Sequence, residues 1–341
     1  MRRLFSPSVL AAFGLVLLAL VIGALLLAPA DEYLFLPNEA HPVAPLVEVE
    51  GGEEAANAPG AIFYVDVVVR RASLMERLLP PLRGDGASLV PAHAVNPTGL
   101  TEDARRRTTR REMTRSQSVA AAVALRELGY EIRADPAGAF VTAVLPDAPA
   151  DGKLQPTDVV VSAAGERVRT PGDLRRALGD VEPGEAVEFG IRRGEALRDV
   201  TIETEESPRE PGRAAIGVLI EQAADIELPI DVEIDAGDVG GPSAGLAFAF
   251  QVLEELGRDV DGGLRVAVTG EIGLDGDVEP VGGLKQKTIG ARRTGVDVFV
   301  VPAGENAEEA RRYADGLRIL AVRNFQQALR ALATLSRNEQ N

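Results

Sequence analysis

The stretch AGDVGGPSAG, residues 236–245, places Ser243 between an alternating run at 230–235 (IDVEID) and an apolar run at 246–256. The alternation reads as a strand and the apolar run as a helix. Glycines keep the turn between them tight, and Pro242 suits the opening of a helix. Ser243 is thereby expected at a helix N-terminus, where the first N–H groups lack intrahelical acceptors and the dipole is positive. Backbone N–H groups at Gly241 and Ser243 could hold an oxyanion there. A serine at a helix start also serves as an ordinary cap. What separates the two readings is a base.

Cysteine and histidine do not supply one. The 341-residue chain has no cysteine, and its two histidines, His41 and His93, stand near no such motif. Thiol catalysis, disulfides and cysteine-ligated zinc are excluded, and neither a histidine-based triad nor a metal or other cofactor is expected. Only three of the 36 basic residues are lysine: Lys153, Lys285 and Lys287. Two of them fall in LKQKTIGA, residues 284–291, after strand-like runs at 264–269 and 277–281 with Asp275-Gly276 at their turn. If residues 284–294 are helical, Leu284, Lys287, Thr288 and Ala291 share one face, and Lys285 joins Arg292 on the solvent side. Lys287 then meets apolar neighbours, where desolvation favours the neutral amine that can accept a proton. Arginine, always protonated, could not take its place. Lys287→Arg is accordingly expected to fold without activity, and Lys285→Arg to be nearly silent.

These residues must be carried by a chain long enough for about two domains of roughly 100–200 residues. Its net charge is −16, from 36 basic and 52 acidic residues, which argues against a nucleic-acid partner. Residues 9–28 form an uncharged apolar run preceded by Arg2 and Arg3 and followed by Asp31 and Glu32. That pattern suits a transmembrane anchor with residues 1–8 cytoplasmic and the rest extracytoplasmic. The rival reading is a cleaved signal peptide ending at Ala28-Pro29-Ala30. Residues 29–59 read as a stalk or irregular cover. A strand is expected at 61–70, loop at 80–100, a solvated arginine-rich face at 105–115, and an alanine-rich helix at 118–128 closed by Gly129.

From 130 to 207 the pattern changes to short strands at 139–145, 158–162, 187–192 and 197–203, with a helix at 171–178. GAFVTAVLPDAPA (138–150), LQPTDVVVSAAGERV (154–168) and TPGDLRRAL (170–178) resemble a PDZ domain of the bacterial protease type. One departure is DGKL, where an Ala-Gly-Leu sequence usually precedes the acidic turn. The resemblance implies that a peptide C-terminus adds as a strand, its carboxylate held by backbone N–H groups at Gly138, Ala139, Phe140 and Val141.

GGPSAGL, TGEIGLDGDVEPVGGLKQK and ARRTGVDVFVVPAGE resemble the proteolytic domain of Lon proteases. The whole arrangement resembles the membrane-anchored, PDZ-containing Lon-like serine proteases, which lack an ATPase. The implied fold is an α/β (α+β) proteolytic domain split into 60–129 and 212–337, with a small β-rich PDZ domain at 130–207 inserted. Residues 213–221 are expected to re-enter the proteolytic sheet. The resemblance implies catalytic roles for Ser243 as nucleophile and Lys287 as general base, with Thr269 holding the lysine and Glu271 structural. An aspartate commonly stands three residues before the serine; Gly240 stands there, so that acid's influence is absent. No GxxxxGK[ST] phosphate loop occurs. The implied activity is ATP-independent cleavage of unfolded, flexible or single-span protein substrates, in what are often hexameric rings. A catalytically silent peptide-binding scaffold is the alternative. A calcium site at Asp235, Asp238, Asp275 and Asp277 is a third reading, and their spacing does not fit it.

Overall fold

The computed structural model describes residues 7–52, 60–95, 102–208, 210–237 and 239–339. Helix α1 (Pro7–Leu27) leads directly into strand β1 (Pro29–Pro42), followed by β2 (Val47–Val49), β3 (Ala61–Ser73), β4 (Ser88–Pro91) and helix α2 (Glu102–Glu127). Next come β5 (Arg133–Val144), β6 (Val159–Ala163), α3 (Pro171–Ala177), β7 (Ala186–Arg193), β8 (Ala196–Glu203), β9 (Val218–Glu227) and β10 (Val232–Ile234). The chain ends with α4 (Gly245–Glu255), β11 (Arg265–Val268), α5 (Leu284–Thr294), β12 (Val298–Pro302), α6 (Glu305–Tyr313), β13 (Arg318–Val322) and α7 (Phe325–Glu339).

Six strands form one sheet in the order β13-β12-β11-β3-β1-β4. β3, β11, β12 and β13 run parallel, and β1 and β4 add antiparallel. Period-two alternation divides the side chains between two cores. Ile62 and Tyr64 of β3, with Val266 and Val268 of β11, pack under α2, α4 and α7. Phe63, Val65, Ala267 and Phe299 pack on the opposite side with α5 and α6. The result is a mixed α/β sandwich whose central strands are buried on both faces. β3 precedes the second sheet in the chain and β11 follows it, so the first sheet is assembled across an insertion.

That second sheet has the order β9-β5-β6-β7-β8 and its own core, including Val141, Val160, Leu174, Phe189 and Ile202. Helix α3 begins with a capping box between Thr170 and Asp173, with Pro171 at its first position.

Several expectations change. Residues 29–42 are a strand rather than a stalk, paired with β3 over nearly its whole length. The arginine-rich run and the alanine-rich segment form one continuous helix, α2. Residues 80–100 were expected to be loop, but 88–91 form β4. Residues 218–227 join the second sheet against β5, not the first sheet. Among the described residues, 9–27 form one helix long and apolar enough to cross a membrane, a pattern that membrane spans and signal sequences share. Arg2, Arg3 and Asp238 lie outside the described residues.

Candidate active site

The turn carrying Ser243 is a short 3-10 segment, Pro242–Ala244, that runs into α4 after Gly241 at φ +86°. Few residues other than glycine accept that conformation. Three contacts fix the turn. Ser116 Oγ of α2 donates to the Pro242 carbonyl at 3.1 Å. The Gly270 N–H donates to the Ser243 carbonyl at 2.9 Å, and Thr269 Oγ1 donates to the same oxygen at 3.1 Å. The serine is thus tied to the end of β11 before any base is considered.

Helix α5 brings the lysine. Gly283 starts it in the left-handed region at φ +75°, and the buried face holds Leu284, Lys287, Thr288 and Ala291, as the helical spacing requires. Gly290 lets the helix come close to β1: a Cβ there would lie 1.8 Å from the Asn38 carbonyl oxygen. Lys287 Nζ sits 2.6 Å from Ser243 Oγ and 2.9 Å from Thr269 Oγ1. The lysine is 3% exposed and Thr269 is fully buried. Burial pushes the Lys287 amine down to about 7, with the charge of Asp66 opposing the shift. An amine titrating near neutrality beside a hydroxyl can take its proton.

A cavity of about 530 Å³ opens beside Pro242 and is lined by Glu112, Ser116, Glu221, Glu271 and Phe140. Burial pushes Glu112 up to about 7, and the Glu271 charge adds to the shift. Glu271, expected to be structural, is likewise raised by burial, with Arg115 opposing. Sequence reasoning gave this acidic lining no place, because Glu112 and Glu271 meet only through tertiary packing.

Lys285 is not the solvent cation expected. Its Nζ donates to the Ala87 carbonyl and to Ser88 Oγ, both at 3.1 Å, holding the segment before β4 over α5. The peptide-binding expectation also changes. Gly138, Ala139, Phe140 and Val141 lie on β5, which is flanked on both sides: Ala139 pairs with Gln222 of β9 and Val160 of β6, and Phe140 with Glu221 and Val159. Strand addition needs an open edge, and β5 has none there. Among the described residues β9 and β8 are the two edge strands of this sheet, and α3 lies against β9. The missed signal is Ile216-Gly217-Val218, where Gly217 takes φ +70° and its carbonyl accepts from Leu145 N–H at 2.8 Å.

The calcium candidates hold turns. Asp235 accepts from the Gly237 N–H and Asp275 from the Asp277 N–H. The carboxylates of Glu254, Asp259 and Asp261 do converge, but they accept backbone N–H groups of the turn after α4.

Two family models match parts of the chain. Residues 214–334 match the Lon protease (S16) C-terminal proteolytic domain, and residues 122–204 match the PDZ domain. Lon protease 1 of Sorangium cellulosum is 38% identical over 111 residues, 29% of this chain and 13% of that protein. Lon protease 2 of Bacillus subtilis is 36% identical over 105 residues, 30% of this chain and 18% of its own length. The chain therefore spans less than a fifth of either relative. The solved PDZ domain of the SdrC-like protein of Listeria monocytogenes aligns over 25% of this chain and 87% of its own, at 19% identity and a TM-score of 0.23. This chain accordingly carries a Lon-type C-terminal proteolytic domain and a PDZ domain.

Proposed function

We propose that the chain is a membrane-anchored serine endopeptidase that works without ATP, with Ser243 as nucleophile and Lys287 as general base. One observation carries the reading: a lysine amine, buried and shifted toward neutrality, lies 2.6 Å from a serine hydroxyl. In its neutral form Lys287 accepts the Ser243 proton as Oγ attacks the scissile carbonyl carbon. Thr269 Oγ1 accepts from Nζ and so keeps the amine on line. The tetrahedral oxyanion lies among N–H groups of the turn from Gly241 to Ser243. Collapse expels the amine half of the substrate, which takes the proton from Lys287. Water, deprotonated by the same amine, then hydrolyses the acyl-enzyme and restores Ser243.

The PDZ domain supplies substrate selection at the β9 edge beside α3, by strand addition of a peptide terminus or exposed segment. Anchoring by α1 would set substrates near the outer membrane face. The decisive comparison is cleavage of fluorescently labelled unfolded casein by the full chain in detergent. Ser243→Ala is expected to lose all turnover and keep its melting temperature. Equal rates for the two proteins would leave the peptide-binding scaffold as the function.

A further inference from the structure

A cavity of about 660 Å³ lies between α2 and the PDZ sheet. Its floor is apolar, with buried Phe140, Val159 and Ala223. Four arginines line it, Arg110, Arg111, Arg115 and Arg192, against two acids, Glu195 and Asp225. In a chain of net charge −16 this is a cationic enclosure. Arg192 pairs with Asp225 at 3.3 Å, and Arg115 with Glu221 at 3.2 Å. Arg110 and Arg111 have no carboxylate partner among the described residues.

Thr157 is a second, independent sign. It lines the cavity, is 6% exposed, and its hydroxyl has no hydrogen-bond partner. Its φ is +75°, a conformation that a β-branched residue rarely adopts. A buried orphan hydroxyl is unfavourable, and the backbone strain adds to it. A ligand acceptor would satisfy the hydroxyl.

The cavity shares Arg115, Val119, Phe140, Gln222 and Leu274 with the smaller one that reaches Pro242 and Glu271. A polypeptide lying along both would run from the arginines to the serine turn. We propose that the larger cavity is a substrate subsite for an acidic residue flanked by apolar ones. Arg110 and Arg111 face its carboxylate, Thr157 donates to it, and Phe140 and Val159 pack on the apolar neighbours. The acids near Pro242 repel the same side chain, so charge sets where along the track it sits. This rests on the peptidase reading.

The test reads binding without turnover, using the full Ser243→Ala protein in detergent micelles. Fluorescence anisotropy follows a rhodamine-labelled peptide that carries Leu, Phe and two Glu and ends in an amide, which removes any terminal carboxylate from the β9 edge. The Glu peptide is expected to bind about tenfold more tightly than its Gln counterpart, with the preference falling as salt rises. Arg110→Gln with Arg111→Gln, and separately Thr157→Gly, are expected to erase that preference. Glycine relieves the positive φ, so Thr157→Gly should melt no lower than its parent, which separates lost binding from lost folding. Equal affinity for the two peptides, or an unchanged preference in Thr157→Gly, would overturn the proposal. Casein cleavage by the wild type is measured separately, so failure of the subsite and failure of the peptidase reading are told apart.

Discussion

Lys287 is an amine that the unfolded chain keeps protonated up to its ordinary value of 10.5 and the folded chain releases near 7. Below about pH 7 the fold must bury a charge; between that point and about 10.5 the unfolded chain binds the extra proton, so stability rises with pH across this window. Lys287→Met keeps the length and removes the charge. It is expected to raise the melting temperature while abolishing cleavage, read by calorimetry and casein turnover; about 1 kcal/mol corresponds to roughly 2–4 °C in domains of this size. Lys287→Arg, expected from sequence to fold well, instead forces a permanent charge into a site that is 3% exposed. The Ser243 and Lys287 pair was legible because residue type and helical spacing converge on it. Lys285 was misjudged because the segment covering it is 197 residues away in the chain, beyond the reach of any helical wheel.

At the scale of elements, the approach of α5 to β1 sets the reach of Lys287. The Ala40 N–H donates to Thr294 Oγ1 at 2.7 Å, and Gly290 faces the Asn38 carbonyl. Gly290→Ala should help an isolated helix by about 1 kcal/mol. Here the added carbon meets backbone at 1.8 Å, and overpacking of about 1–3 kcal/mol dominates. The variant is expected to lower the melting temperature and the cleavage rate together, since α5 must lift away from β1. β1 escaped sequence reading because Pro37 and Pro42 argue against a strand. The structure accommodates Pro37 where the register with β3 shifts, between Pro37 and Ala40. β9 was recognisable as extended chain, but alternation names a strand and not its neighbour. Its true neighbour, β5, also removed the peptide edge assigned to Gly138–Val141.

At the scale of the whole molecule, two folding units share α2: its alanine-rich half packs in the proteolytic core, and Arg115 reaches Glu221 and the Phe140 ring of the PDZ sheet. The change to short strands and turns after residue 130 marked a second unit, but not that residues 218–227 belong to its sheet. The cavities between the two units were not readable, because neither unit's own pattern encodes the other's surface. The apolar helix can be tested directly. Full-length chain is expected to stay with membranes after an alkaline wash. A version beginning at Ala28 keeps β1 and the Ala28 carbonyl that accepts from Leu74 N–H at 2.9 Å, and should be soluble with an unchanged cleavage rate. A mature chain found soluble and cut at Ala28–Ala30 would favour a signal peptide instead.

The pairing of Ser243 with Lys287 is tested most directly by the pH dependence of kcat/KM on unfolded casein. The base must be neutral, so the rate should rise with pH through a midpoint near 7 and fall about tenfold per unit below it. Glu112 titrates in the same range, so the same curve is measured in Glu112→Gln, where the rising limb should persist. A midpoint near 10, or a limb that survives in Lys287→Met, would contradict Lys287 as the base.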